Sequence, residues 1–187
     1  MFQQFKSHVL PNLEYPTPAI YHASASNLDK LNAVQRSFLR DMSVSEEVAL
    51  TDKSFNLAPL SMRRDIAMLG VIHRAVLKQG PKQLHKWFFV VTPGAKPGTR
   101  SCSQKSRSRQ VFDYTSGSQS EFLRRSAFGL TFVYNSLPEK TVLTKSVKAF
   151  QRELQTEVKR RVENGLPDWA YLYDPCYKYN MLTKGHM

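Results

Sequence analysis

The chain has 187 residues, enough for one domain or two small ones, and 41% of them are hydrophobic, so a buried core is affordable and a wholly disordered chain is excluded. Lys and Arg number 27 against 15 acidic residues, a formal charge of +12 with an isoelectric point near 9.9. That balance favours a polyanionic partner, nucleic acid or an anionic membrane surface. Cys102 and Cys176 are too far apart for metal-ligand spacing and too few for a disulfide framework, so a reducing compartment is expected. Met1 to Lys6 lacks a signal-peptide apolar run, and no stretch approaches membrane-spanning length. The expected location is nuclear or cytoplasmic, with no membrane partner.

In chain order, Phe2, Phe5, Val9, Leu10 and Leu13 have the spacing of a helix face. Pro16 and Pro18 punctuate the chain before a short apolar turn at Ala19, Ile20 and Tyr21. Ser26 is the expected N-cap of the next helix, with Leu28, Leu31, Val34 and Phe38 as its buried stripe. Ser45, with Glu46 and Glu47 after it, starts another. Pro59 opens the strongest helix, whose apolar set is Ile66, Leu69, Ile72, Val76 and Leu77, and Gly80-Pro81 is its expected stop. A short amphipathic helix follows, expected to bury Leu84, Trp87 and Phe88.

Residues 93–110 are rich in Pro, Gly, Ser, Lys and Arg without period, the composition of an exposed linker, and Val111 to Tyr114 suit a short extended piece. From Ser120 one helix is expected through Phe122, Leu123, Ala127, Leu130 and Val133, closed by Leu137-Pro138. Thr144 or Ser146 caps a last long helix with Val147, Phe150, Leu154 and Val158 on one face, stopped by Gly165 and Pro167. The tail aromatics Trp169, Tyr171, Tyr173, Tyr177 and Tyr179 are expected to pack back rather than stack on bases. No useful strand alternation appears. The expected fold is mainly α, small helical bundles with a long basic loop, divided as 1–92, a basic linker 93–118, a helical pair 119–165 and an aromatic tail 166–187.

Charge distribution carries the functional signal. Between Ile66 and Phe112 there is no acid, while nine bases occur: Arg74, Lys78, Lys82, Lys86, Lys96, Arg100, Lys105, Arg107 and Arg109. A solvated face normally mixes signs, because interspersed charges limit self-repulsion. Arg74 and Lys78, then Lys82 and Lys86, share a four-residue spacing that predicts a basic ridge on two helices. Arg100, Lys105, Arg107 and Arg109 add loop charge suited to phosphate oxygens. The plain alternatives are a solubilising face or an import signal. A lipid surface fits less well, since the basic helices lack a wide apolar face.

No catalytic constellation is present. No Asp-Asp pair offers a two-metal site, and no phosphate loop ends in Lys-Ser or Lys-Thr. Asp65 is expected to pair with Arg63 and Arg64, and His8, His22, His73, His85 and His186 to be ordinary surface or helix-face histidines. No cofactor or metal is expected, nor enzymatic activity from these residues alone.

Four stretches together resemble a known family. Phe5-Lys6-Ser7-His8-Val9-Leu10-Pro11-Asn12-Leu13-Glu14-Tyr15, with Thr17-Pro18-Ala19-Ile20-Tyr21, is similar to the helix after the palm in reverse transcriptases of non-LTR (LINE-type) retrotransposons. Leu28-Asp29-Lys30-Leu31-Asn32-Ala33-Val34-Gln35-Arg36-Ser37-Phe38-Leu39-Arg40 resembles the next element, in which a Leu-x-x-x-Gln-Arg pattern recurs. Leu57-Ala58-Pro59-Leu60-Ser61-Met62-Arg63-Arg64 looks like a Leu-Pro-Leu-x-x-Arg-Arg segment. Arg124-Arg125-Ser126 to Tyr134-Asn135-Ser136-Leu137-Pro138, followed by Ser146-Val147-Lys148-Ala149-Phe150-Gln151, resembles the closing Asn-x-Leu-Pro and Ser-Val-x-x-Phe pattern. The resemblance implies a thumb and post-thumb region whose helices contact a template–primer duplex, and it adds Arg63 and Arg64 to the candidate phosphate contacts. The Tyr/Phe-x-Asp-Asp palm motif is not among these residues, so polymerase activity is not carried over; a palm would act in trans. The partner implied is RNA, DNA or their hybrid. The alternatives are a helical protein-interaction module, docking through exposed Ile20, Phe38 or Leu39, and a retroelement remnant without function.

Overall fold

The computed structural model describes residues 1–91, 109–115 and 120–184. It is mainly helical, and among the described residues the extended pairing is one antiparallel bridge between Val90 and Val111.

The N-terminal segment winds as α1 (Phe2–Gln4), a π turn (Phe5–Val9) and α2 (Leu10–Glu14). The wide turn sits just before Pro11, which has no N–H to give the preceding turn and whose ring crowds the carbonyl four residues back. A short α3 (Thr17–Ile20) leads to α4 (Ala25–Asp41). Ser24, not Ser26, caps α4: its hydroxyl accepts the Asn27 N–H from extended backbone, which leaves Ser26 inside the first turn. The buried face of α4 is also rotated from the expected stripe. Gln35 and Leu39 are buried, whereas Leu28, Leu31 and Phe38 are half-buried and Val34 is exposed. Gln35 turns inward because its amide donates to the Ala58 carbonyl, which a buried loop leaves in need of a partner (3.0 Å). Ser45 caps α5 (Glu46–Thr51) as the sequence indicates.

α6 (Leu60–Val76) is the central element. Leu60, at its start, joins a small cluster with Phe5, Leu10, Leu39, Ala49 and Leu57. From Met62 onward its apolar residues enter the main core, with Ile66, Leu69 and Ile72 meeting Leu130, Val133, Phe150, Leu154 and Val158. Those partners come from α9 (Gly129–Ser136) and α11 (Val147–Glu163), and α11 makes the most extensive contact. The two long helices run antiparallel: Gln151 donates to the Ile66 carbonyl, Phe150 meets His73, and Lys159 reaches Asn56 before the start of α6. Trp169, Leu172 and Tyr173 belong to the same core, so the expected division between 1–92, 119–165 and the tail does not partition it. Of the expected linker, residues 109–115 pack as well: Val111 is buried, and its N–H and carbonyl pair with the Asn135 amide at 2.9 and 2.8 Å.

His73 is a core residue rather than a surface one. It is fully buried and stacked on Phe150 with ring centroids 4.1 Å apart. Nε2 contacts the Thr144 carbonyl at 3.1 Å and Nδ1 the Tyr134 hydroxyl at 2.9 Å, a pattern served by the neutral ring with Nε2–H donating and Nδ1 accepting. Burial pushes its pKa down to about 4.

Other local expectations shift for identifiable reasons. α6 ends at a Schellman motif in which Gln79 N–H reaches the Arg74 carbonyl and Lys78 N–H the Ala75 carbonyl, both at 3.0 Å. The left-handed residue there is Lys78 (φ 57°), not Gly80, so the chain turns two residues early. α11 ends in the same motif with Gly165 in that place (φ +67°). In α7 (Lys82–Trp87) and just beyond it Phe88 is buried, but Trp87 is 54% exposed. The single helix expected from Ser120 is broken into α8 (Glu121–Arg125) and α9, and Phe122 is exposed. The Ser126 hydroxyl bonds the Leu123 carbonyl and the Phe128 N–H, competing with helical continuation. A Cβ on Gly129 would lie 1.8 Å from the Arg124 carbonyl oxygen, so only glycine permits this turn. α10 (Glu139–Val142), a 3₁₀ turn (Trp169–Tyr171) and α12 (Pro175–Lys184) complete the chain.

Two measurements follow from these contacts. Lys78→Gly relieves a left-handed non-glycine residue and should stabilise the chain by about 1 kcal/mol in urea unfolding, whereas a loss of stability would contradict the assignment. For His73, the neutral ring is favoured in the folded chain, so at pH 4–6.5 the unfolded chain binds more protons. Its contribution, up to about 3 kcal/mol, is complete above the ordinary histidine value and is lost as the pH falls towards 4. A nitrogen-15 NMR titration should find an Nε2–H ring with a midpoint near 4; a midpoint near 6.5 would be inconsistent with this packing.

Candidate functional site

The basic run divides into residues that face water and residues that the fold has engaged. Arg74, Lys78, Lys82 and Lys86 are all exposed. No ion pair holds any of the four among the described residues. The ridge is not continuous, because Lys78 lies past the end of α6 and its left-handed backbone breaks the helical spacing from Arg74. Lys82 and Lys86 keep that spacing within α7. Antiparallel packing brings the start of α11 to the same end as the last turn of α6, which adds the exposed Lys145 and Lys148. Sequence reasoning missed these two because the pairing of the helices, not local spacing, brings them there. The exposed Trp87, Phe89 and Val90 follow Lys86 directly, and Phe89 stacks on Phe112 at 5.4 Å.

Arg63, Arg64 and Arg109 do not stand free on that surface. Arg63 forms a two-pronged ion pair with Glu14, tying α2 to α6; its Nη2 meets Oε2 at 3.0 Å. Arg64 is only 3% exposed, and its Nη2 donates to Asn32 Oδ1 at 2.7 Å. Arg109 donates from Nη1 to the carbonyls of Val142 and Thr144, at 2.9 and 3.0 Å, so it braces the end of α10. Arg100, Lys105 and Arg107 lie outside the described residues.

A cleft of about 850 Å³ forms between Tyr21 and α4, Glu46 at the start of α5, the start of α6, α8, and the stretch from Ala170 into α12. Five segments separated in sequence build it, so no local motif announces it. Arg64 and Gln35 are among the lining residues, and each has one polar atom, Nη1 and Oε1, that is sealed from solvent without a hydrogen-bond partner. Asp65 also lines it, and pairs with neither Arg63 nor Arg64 as expected; instead the Tyr21 hydroxyl donates to it at 2.7 Å. Burial pushes the Asp65 carboxyl up to about 8, with Asp174 adding to the rise, while the Tyr21 hydrogen bond and Arg64 oppose it. Arg36 pairs with Asp29 at 2.9 Å and Arg125 with Glu121 at 3.8 Å, while the lining acids Glu46 and Asp174 have no ion pair among the described residues.

The tail aromatics mostly pack. Trp169 and Tyr173 are buried, and the Tyr173 hydroxyl donates to the Leu154 carbonyl at 3.0 Å. Tyr179 lies beneath the Arg124 guanidinium, 3.6 Å from ring centroid to carbon, and Tyr171 is exposed but stacks on Tyr177. Among the described residues no helix is long and apolar enough to cross a membrane, and no group of three or more His, Cys, Asp or Glu is placed to hold a metal. Comparison of the chain with family models, curated proteins and solved structures finds no match in any of the three.

Asp65 gives the cleft a measurable signature. Its folded value lies above the ordinary carboxyl value, so its contribution to stability is complete below about 4 and is lost as the pH rises through 8. Asp65→Asn keeps an acceptor for Tyr21 and cannot ionise. Its stability advantage over the wild type should therefore grow from pH 4 to 8 and then level off. An advantage that does not change with pH would mean the carboxyl is ionised in the folded chain.

Proposed function

We propose that this chain binds nucleic acid through the phosphate backbone, without catalysing a reaction by itself. The observation that carries the reading is that Arg74, Lys78, Lys82 and Lys86 are all exposed and outside any ion pair among the described residues. Like charges gathered without acidic partners repel one another, and a polyanion relieves that repulsion while releasing its own counterions. The half-exposed Trp87 beside Lys86 offers a face on which an unpaired base can stack. Contacts of this kind hold a strand or duplex in place and do not read its sequence.

The four-block resemblance extends the proposal to a thumb and post-thumb piece of a non-LTR reverse transcriptase holding a template–primer duplex, with a polymerase palm acting in trans. Within that reading Arg63 and Arg64 shape the helical scaffold, since Glu14 and Asn32 already engage them. The interaction-module alternative loses its expected surface. Leu39 is buried, Ile20 is half-buried, and Phe38 is half-buried between ring contacts with Phe2 and Phe5.

Fluorescence anisotropy of a labelled RNA–DNA hybrid across a salt series tests the proposal. Binding should weaken steeply with salt, and Arg74→Glu with Lys78→Glu should weaken it for all sequences and lower the log–log slope by about 2. Affinity that does not respond to the double reversal would remove this surface from the reading.

A further inference from the structure

We infer that the surface at the end of α7 takes single-stranded nucleic acid, whose unpaired bases stack on Trp87 and Phe89 while its phosphates meet Lys82 and Lys86. The inference rests on the backbone-binding reading above and narrows its partner to an unpaired strand. Trp87 and Phe89 are 54% and 43% exposed, and Phe88 between them is buried. Large aromatic side chains left in water at neighbouring positions forgo the stabilisation of burial, so together they mark a binding surface.

The fold holds both rings in place without a partner. The Tyr114 hydroxyl donates to the Trp87 carbonyl at 2.8 Å. The Val91 N–H donates to the Gln110 carbonyl at 2.7 Å, and the Phe112 N–H to the Phe89 carbonyl at 3.1 Å. Phe89 stacks on Phe112, which meets Tyr114 edge-on with centroids 4.9 Å apart. Trp87 leans on Phe128 at 60° and 5.8 Å, so that contact does not lie flat over its ring. Rings fixed by their own contacts lose little conformational entropy on stacking.

Charge decides which occupant fits. Lys82 and Lys86 are exposed and outside any ion pair among the described residues. The Arg74 stem lies beside the start of α7, with its Cγ 3.4 Å from where a Cβ on Gly80 would stand. No acid occurs between Ile66 and Phe112. The next one, Asp113, turns its carboxylate to the Thr115 N–H and hydroxyl at 2.8 and 2.7 Å. A duplex hides its base faces within its own stack, whereas an unpaired strand offers a face at each base and a phosphate between bases. Exposed rings beside unpaired cations match that strand in both shape and sign.

Fluorescence anisotropy of the full chain with a labelled oligothymidylate of about eight nucleotides, and with an abasic chain of the same length, tests it across a salt series. The wild type should bind the oligothymidylate about tenfold or more tighter than the abasic chain. Trp87→Ala should lose about tenfold on the oligothymidylate and nothing on the abasic chain, with its log–log salt slope kept, which separates a lost stack from a lost fold. Trp87→Phe keeps a ring and should retain most of the affinity. Binding should also quench tryptophan emission in the wild type but not in Trp87→Ala, whose remaining Trp169 is buried. The inference is overturned if the wild type binds the two strands alike or if Trp87→Ala weakens both equally. It is also overturned if that variant changes only self-association in sedimentation, which would make the patch an interface between copies. Abasic binding that still falls with salt would then leave the backbone reading standing, whereas absent or salt-independent binding of both strands would overturn the two together.

Discussion

Gly70 lets the Gln151 side chain lie directly against the backbone of α6, where a Cβ would come within 2.5 Å of its amide nitrogen. The Gln151 amide donates to the Ile66 carbonyl there, and one turn later the His73 ring stacks on Phe150, so the two long helices are joined by paired polar and ring contacts. α9 then closes on the pair through Tyr134, whose hydroxyl meets His73, while the Thr144 carbonyl takes the other ring nitrogen. Thr144 also accepts from Arg109, which draws residues 109–115 onto the same core. A polar group buried this deeply is tolerable only when its hydrogen-bonding capacity is met, so His73 fixes the register of three helices at once.

The same packing sets where positive charge appears. Antiparallel helices place the C-terminal turn of α6 beside the N-terminal turn of α11, so Arg74 and Lys78 share an end with Lys145 and Lys148. At the opposite end of α6 the helix start meets α4, α8 and α12, and the cleft opens there. One helix thus carries an exposed basic surface at its end and an enclosed arginine near its start.

Much of the helical plan is legible locally. Ser45, Ser120 and Ser146 each accept an N–H three residues on, because a short hydroxyl side chain at a helix start satisfies a donor that the backbone cannot. Gly165 stops α11 because it takes up a left-handed backbone without strain. The stop at Lys78 was not legible, since lysine carries no signal for that backbone and Gly80-Pro81 carries a strong one. Ser24 and Ser26 are equally good caps by type, and the chain entering from α3 decides between them. Nor does a helical period reveal that α4 turns Gln35 inward, because the partner that rewards it, the Ala58 carbonyl, lies on another segment.

The candidate sites divide in the same way. Adjacent residues on a helix point about 100° apart, so Arg63 and Arg64 look alike in sequence yet meet Glu14 at a part-exposed position and a buried cleft wall respectively. By itself the sequence determined the helical class, most capped starts, and the long acid-free stretch with its excess of positive charge, all of which depend on residue type and short-range spacing. Only the tertiary structure decided which of those charges face water, which are consumed by carbonyls and carboxylates, and that Arg64 and Gln35 are buried with one polar atom each left without a partner. Those outcomes depend on neighbours brought from distant segments, and desolvation acts on the assembled surroundings of a group rather than on its identity.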